Sequence, residues 1–180
     1  MRHSTEEISR QLKKHPDEGF RMLVNSFMEP IYHHVRRLVE VHADAQDITQ
    51  ETFIKAYRSI DSLRDVKSLP SWLMRIATNE ALRFMQRNRE RHIPLDDSAS
   101  AEALSLAADE YIDYSDLEAV RLQKAIHTLP PKQQAAFNLR YYDDLNYDEI
   151  ADILESSPQS VKVNYNIAKQ KVIDYMNKNF

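Results

Sequence analysis

The chain has 180 residues, of which 42% are apolar and 29% charged, and its formal net charge is −4. It has no cysteine and a single glycine, Gly19, which excludes disulfides, thiolate metal sites and cysteine nucleophiles as well as glycine-rich phosphate loops. No apolar run approaches the ~20 residues that cross a bilayer, and the first residues lack the apolar core of a signal peptide, so a cytoplasmic protein is expected.

Glycine scarcity also argues against tight hairpins and βαβ phosphate turns. Helices joined by proline and polar turns remain. The first of them is a short helix opened by Ser4 and Glu7, a capping box, and carrying Ile8 and Leu12. The set Phe20, Leu23, Val24, Phe27, Ile31, Val35 and Leu38 recurs in steps of three and four, one face of a helix. Pro30 lies inside that pattern and predicts a kink or a break. Asp44 is the expected N-cap of a third helix, with Asp47 favouring its positive end. Ile48, Thr52, Phe53, Ala56 and Ile60 form its buried stripe. Asp47, Gln50, Glu51 and Arg58 point away from it. A polar stretch, 61–68, leads to Pro70, which suits a helix start. That helix is expected to run to about Arg89, with Trp72, Leu73, Ile76, Ala77 and Phe84 available to the core. Arg83, Arg87, Arg89 and Arg91 make its far end basic.

Charge then changes abruptly. Residues 1–92 hold 16 Lys+Arg against 13 Asp+Glu, residues 93–118 hold none against 8, and residues 119–180 hold 8 against 7. Two near-neutral blocks flanking an acidic segment read as domain, linker, domain. The segment 93–116 is too long for an ordinary loop within one compact domain; a transient helical turn is expected at 101–108. The second domain starts near Leu117. Leu122, Ile126 and Leu129 form one stripe, ended by Pro130-Pro131, and the next helix is read over Lys132–Tyr142. Asn146 and Glu149 cap a short helix over Tyr147–Leu154. Ser157-Pro158 opens the last helix, with Val161, Tyr165, Ala168 and Val172 as its buried side. A short capped helix, a turn and a longer helix make a helix-turn-helix, whose second helix usually enters the DNA major groove. The expected fold is all-α: two small helical domains, 1–92 and 117–180, joined by an acidic linker, 93–116.

At this point the chain resembles the extracytoplasmic-function (ECF, group IV) sigma factors of bacterial RNA polymerase. ADAQDITQETFIKAYRSI (43–60) resembles the family's region 2.2 helix. SLPSWLMRIATNEALRFMQR (68–87) resembles regions 2.3 and 2.4. LQKAIHTLPPKQQAAFNLRYYDDLNYDEIADIL (122–154) followed by SVKVNYNIAKQKV (160–172) resembles region 4. The resemblance implies a promoter-specificity subunit for transcription initiation. It would bind core RNA polymerase and promoter DNA, answer to an anti-sigma factor, and have no catalytic residue and no cofactor.

The resemblance also implies roles. Asp47, Gln50 and Glu51 match the positions that dock on the polymerase clamp helices, where an acidic, amide-bearing face meets a basic coiled coil. Arg75, Thr78, Asn79, Gln86 and Arg87 match the side that faces the −10 element. Arg83 departs from the family pattern, which often has Asp or another polar residue there; a cation adds a phosphate contact or changes the preferred base. The stretch 61–69 matches the loop that captures a flipped base. On the last helix, Gln159, Ser160, Lys162, Val163, Asn164, Asn166 and Ile167 are the candidates for the −35 element. Asn164 and Ile167 stand where the family often has Arg, so duplex binding should release fewer counterions and use adenine and thymine-methyl contacts. Glu155 replaces a turn residue that is often Gly, so Ser156 or Ser157 is expected to absorb the turn. In the family the linker threads the polymerase's RNA-exit path, where the eight carboxylates of 93–118 would mimic RNA.

Other residues carry blander readings. Trp72 is in phase with Ile76 and reads as core rather than a stacking platform. His33 and His34 are adjacent and diverge on a helix, and no HExxH pattern occurs, so the seven histidines read as surface or structural groups, with no metal site. Tyr141, Tyr142 and Tyr147 read as packing between the last helices. Two alternative functions stay open. A one-component helix-turn-helix regulator explains 117–180 but leaves the 43–87 block without a reason. A sigma-like adaptor would hold polymerase without reading promoters.

Overall fold

A computed structural model describes residues 3–63, 65–91 and 117–178; the linker and its expected turn at 101–108 lie outside the described residues. Among those described, every regular element is helical. Helix α1 (Thr5–Lys14) starts with the predicted box: the Ser4 hydroxyl accepts from the Glu7 amide and the Glu7 carboxylate accepts from the Ser4 amide. Helix α2 (Pro16–Arg36) follows directly. The two pack so closely at Gly19 that a Cβ there would lie 2.3 Å from the backbone nitrogen of Leu12. That contact is why the chain's one glycine stands in the first turn of α2 despite its helix-weakening cost.

Pro30 neither ends nor divides α2. It removes one hydrogen bond, the one to the Ser26 carbonyl, while Phe27, Ile31 and Val35 are buried on either side of it. Burial of that face holds the helix through the defect. Helix α3 (His42–Ser59) begins two residues before the expected cap: Val41 is the N-cap, and Asp44 lies in the first turn. Its carboxylate still meets the positive helix end there. Ile48, Thr52, Phe53 and Ala56 are buried as predicted. Two short 3₁₀ turns, Ile60–Ser62 and Val66–Ser68, lead into helix α4 (Leu69–Arg91). Leu69, Leu73, Ala77 and Ala81 are its buried line, and Trp72, Ile76 and Phe84 pack partly buried beside it.

The second domain holds α5 (Leu117–His127), α6 (Pro131–Tyr141), α7 (Tyr147–Ile153) and α8 (Pro158–Lys178). Asn146 and Glu149 form the predicted reciprocal cap of α7. Ser157 caps α8, its hydroxyl accepting from the Ser160 amide. The turn between α7 and α8 corrects the sequence reading: Glu155 itself takes the left-handed conformation, at φ 49°. The Ser156 amide then reaches back to the Ala151 carbonyl, a Schellman closure. Neither serine absorbs the turn. Tyr147 meets Tyr165 of α8 as read, but Tyr141 and Tyr142 correct the sequence reading: both are exposed, and Tyr141 stacks on Phe137 of its own helix and meets Tyr142 edge-on.

The two domains touch. Ala135 belongs to the first domain's core cluster, and Met74 of α4 packs against Leu139, Ile150 and Val161 of the second. The carbonyls at the end of α2 lack intrahelical partners, and burying them bare would cost about 1–3 kcal/mol each. The second domain satisfies them. The amides of Gln123, Gln134 and Asn138 all donate to the Arg37 carbonyl, and Gln134 also donates to that of Leu38.

Candidate functional site

On α3, Asp47 and Gln50 are exposed and Glu51 is half-buried, one helical stripe opposite the core. The stripe has a member that the sequence reading left out. Ile54, three residues beyond Glu51, is 44% exposed. Its position seven residues after Asp47 and off the buried 48/52/56 line was the available signal. It borders a shallow cavity with Phe20, Phe53, Tyr57 and Arg58.

On α4 the picture is mixed. Gln86 and Arg87 are exposed, while Asn79 and Arg75 are partly buried, the latter with its Nε enclosed and unpartnered. Thr78 is fully buried. Its hydroxyl donates to the Met74 carbonyl and lies 2.8 Å from His34 Nε2. His34 in turn meets Asp143 of the second domain at 3.0 Å, and Asp143 also pairs with Arg37. Burial pushes the Asp143 carboxyl up, but the bonds and charges of His34 and Arg37 outweigh that and hold it below the ordinary range. The Arg37 guanidinium lies over the Tyr142 ring. Thus Thr78 is placed under an interdomain clasp rather than on an open face.

Arg83 has a fixed partner. Its Nη1 donates to Glu80 at 2.7 Å, and the other Glu80 oxygen meets Lys55 of α3 at 2.5 Å. No sequence reading singled out Glu80 or Lys55.

On α8, Gln159, Ser160, Lys162, Val163, Asn166 and Ile167 are exposed. Val163 and Ile167 present apolar surface at 47% and 42% exposure. Asn164 differs: it is half-buried and lines a cleft of about 510 Å³ with Gln86, Leu82 and Pro130. The candidates for the two DNA elements are therefore neighbours in this arrangement. Val161, Ala168 and Val172 are buried as predicted, with Tyr165 half-buried beside them.

Residues 23–91 match sigma-70 region 2, and residues 119–172 match sigma-70 region 4. The ECF RNA polymerase sigma factor SigW of Bacillus subtilis is 30% identical over 161 residues, covering 85% of this chain and 86% of its own. The chain belongs to the ECF RNA polymerase sigma factors. The ECF sigma-E factor of Escherichia coli K12 is also 30% identical, over 84% of this chain and 83% of its own. Two solved structures share the fold: the sigma factor RpoE in complex with the anti-sigma factor NepR from Bartonella quintana (TM-score 0.70, 21% identity, 89% of this chain and 98% of that one) and CnrH in complex with the cytosolic domain of CnrY (TM-score 0.70, 18% identity, 96% and 97%). As an ECF sigma factor the protein directs RNA polymerase to promoters, a non-enzymatic role. No described helix is long and apolar enough to cross a membrane.

Proposed function

We propose that the α3 stripe of Asp47, Gln50, Glu51 and Ile54 is the surface by which this sigma factor docks on core polymerase. The stripe is the observation that carries the reading: carboxylates and an amide in a row, with one exposed aliphatic side chain at its end, suit a basic partner helix. Arg75, Thr78, Asn79, Arg83, Gln86 and Arg87, with the loop 61–69, would meet the melted −10 strand. Gln159, Ser160, Lys162, Val163, Asn164, Asn166 and Ile167 would read the −35 duplex, with the apolar pair on thymine methyls and the amides on adenine. The −10 assignment requires the domains to part, because Thr78 is buried where they meet; parting would also free Asn164, which is half-buried in the cleft beside Gln86. An anti-sigma factor that holds the closed form fits this arrangement, as does a cytoplasmic site of action.

Run-off transcription with core polymerase tests the reading. Wild type should give promoter-dependent transcripts that core alone does not. A triple variant, Asp47→Ala, Gln50→Ala and Glu51→Ala, should fold normally by circular dichroism yet fail to co-purify with core. Undiminished co-purification would remove α3 as the docking surface.

A further inference from the structure

Glu80 is 7% exposed and lies between two cations, Lys55 from α3 and Arg83 from its own helix. A carboxylate on a surface that meets a nucleic-acid backbone is at first sight misplaced, since it repels phosphate. Lys55 offsets that charge. Lys55 also faces Glu51 of its own helix at 3.7 Å, so the two cations and two carboxylates of this cluster balance, and Arg83 holds its charge at the exposed end. The Arg83 side chain itself is 65% exposed. Glu80 occupies one Nη1 donor, whereas a guanidinium carries five N–H donors in a rigid fork. The rest of the fork is free to face outward from a fixed base.

We propose that Glu80 is a positioning residue that anchors Arg83 as a preorganised reader of the −10 strand, with Lys55 cancelling the charge that would otherwise repel that strand. The inference rests on the assignment of α4 to the −10 element. An unanchored arginine at that exposure attracts phosphate from many conformations and discriminates little between bases. A tethered one has already lost that freedom before binding, so its contact is selective. Two effects should therefore separate. Removing Glu80 adds one net positive charge to the face, which sustains or raises overall attraction to DNA. It also releases Arg83, which lowers discrimination.

The test uses holoenzyme assembled from core polymerase and the full chain, on a promoter library randomised through the −10 element. Arg83→Ala should flatten preference at one or two −10 positions, by about tenfold for a lost arginine fork. Glu80→Met, which fills the space without an acceptor, should flatten the same positions while total initiation holds or rises. The double variant should show no further loss. Lys55→Met should lower initiation across all sequences and keep the preference. Should Glu80→Met melt early, Glu80→Gln carries the test, because it keeps an acceptor without charge and should lose part of the selectivity. A purely structural Glu80 would instead lower core co-purification and thermal stability with selectivity intact. Selectivity unchanged in both Glu80 variants, against a change in Arg83→Ala, would overturn the proposal. So would a flat Arg83→Ala profile beside a changed Asn79→Ala profile. If Asn79→Ala and Arg83→Ala are both flat, the assignment of α4 to the −10 element falls, and the anchoring proposal falls with it.

Discussion

The two working faces of the first domain are treated differently by the second. The α3 face, with Asp47, Gln50 and Ile54, is open. The α4 face is partly roofed: Thr78 is fully buried, and Met74 packs into the second domain's cluster. The difference lies in what covers each helix. Nothing described lies over the α3 stripe, whereas α6 and α7 pack on α4. Under the proposed assignment, the chain would present its polymerase-docking surface at once and keep its −10 surface behind an interface. That interface combines the Asp143 clasp and the Gln123, Gln134 and Asn138 amides with apolar contacts through Met74 and Ala135.

The largest expected effect comes from removing the clasp. Asp143→Ala leaves Arg37 and His34, both nearly buried, without their shared carboxylate. Breaking a buried pair from one side costs about 3–5 kcal/mol. That energy should appear as domain separation, because each domain keeps its own core. Small-angle scattering should show a larger radius of gyration, and amide exchange around Thr78 should quicken. Asp144→Asn is the control: it removes the charge of a carboxylate that is 94% exposed beside Arg140, such pairs contribute little, and asparagine tolerates the left-handed backbone at that position. If Asp143→Ala stays as compact as wild type, the contrast between an open and a roofed face does not depend on the clasp.

Acid probes the same junction by another route. Burial, reinforced by the nearby Arg36 charge, lowers the pKa of His127 to about 4. Its ring nitrogens lie 2.8 Å from the Gln123 amide and 3.2 Å from that of Gln134, which also serve the α2 carbonyls. The folded state therefore favours neutral His127. Its contribution is complete above the ordinary histidine value near 6.5 and is lost as pH falls toward about 4. Over that window the loss amounts to about 3 kcal/mol. Asp143 stays ionised through it, because its folded pKa lies below the ordinary carboxylate value; its own contribution goes only at lower pH. Melting temperatures of wild type and His127→Gln should diverge above pH 6 and converge near pH 4. Parallel curves would mean that His127 is not held neutral.

The open face has its own test. Ile54→Glu places a charge where an aliphatic side chain is 44% exposed. Stability should stay within about 0.5 kcal/mol, while core affinity should fall about tenfold, the loss of one modest interface anchor. Equal core binding would return Ile54 to the ordinary class of exposed aliphatics.

What the sequence disclosed and what it hid divide along contact range. Both capping boxes, at Ser4–Glu7 and Asn146–Glu149, were legible because their partners are three residues apart. So were the buried lines of α3 and α8, since helical period places them without knowledge of the rest. Asp47, Gln50 and Glu51 were readable as an exposed stripe for the same reason. The start of α3 was missed because Asp44 is a good cap by type, yet the helix begins where the chain leaves α2. The break allowed for at Pro30 does not occur, because the local penalty is real but the burial of Phe27 and Ile31 outweighs it. The clasp was invisible: Asp143 is more than a hundred residues from His34 and Arg37, and no spacing links them. Glu80 went unread because its value lies in Lys55, which belongs to another helix. Gly19 was counted but not explained, since only the packing of α1 across α2 shows what its missing side chain makes room for.

The smallest expected effect concerns the turn that seats α8, most of whose −35 candidates are exposed. Two non-glycine residues in the second domain's turns have positive φ: Asp144 at 51°, between α6 and α7, and Glu155 at 49°, between α7 and α8. They look alike in angle but not in cost. Aspartate visits the left-handed region comparatively readily, whereas glutamate does so at about 1–2 kcal/mol. Glu155→Gly should therefore stabilise the domain by about 1 kcal/mol, and Asp144→Gly by less, measured as shifts in urea midpoint at constant slope. Their ratio is more informative than either value. If Glu155→Gly gains nothing, the Schellman closure through Ser156 already offsets the strain. If it gains stability and −35 selectivity also changes, then the strained turn sets the angle at which α8 leaves α7, and the recognition surface depends on a residue that never touches it.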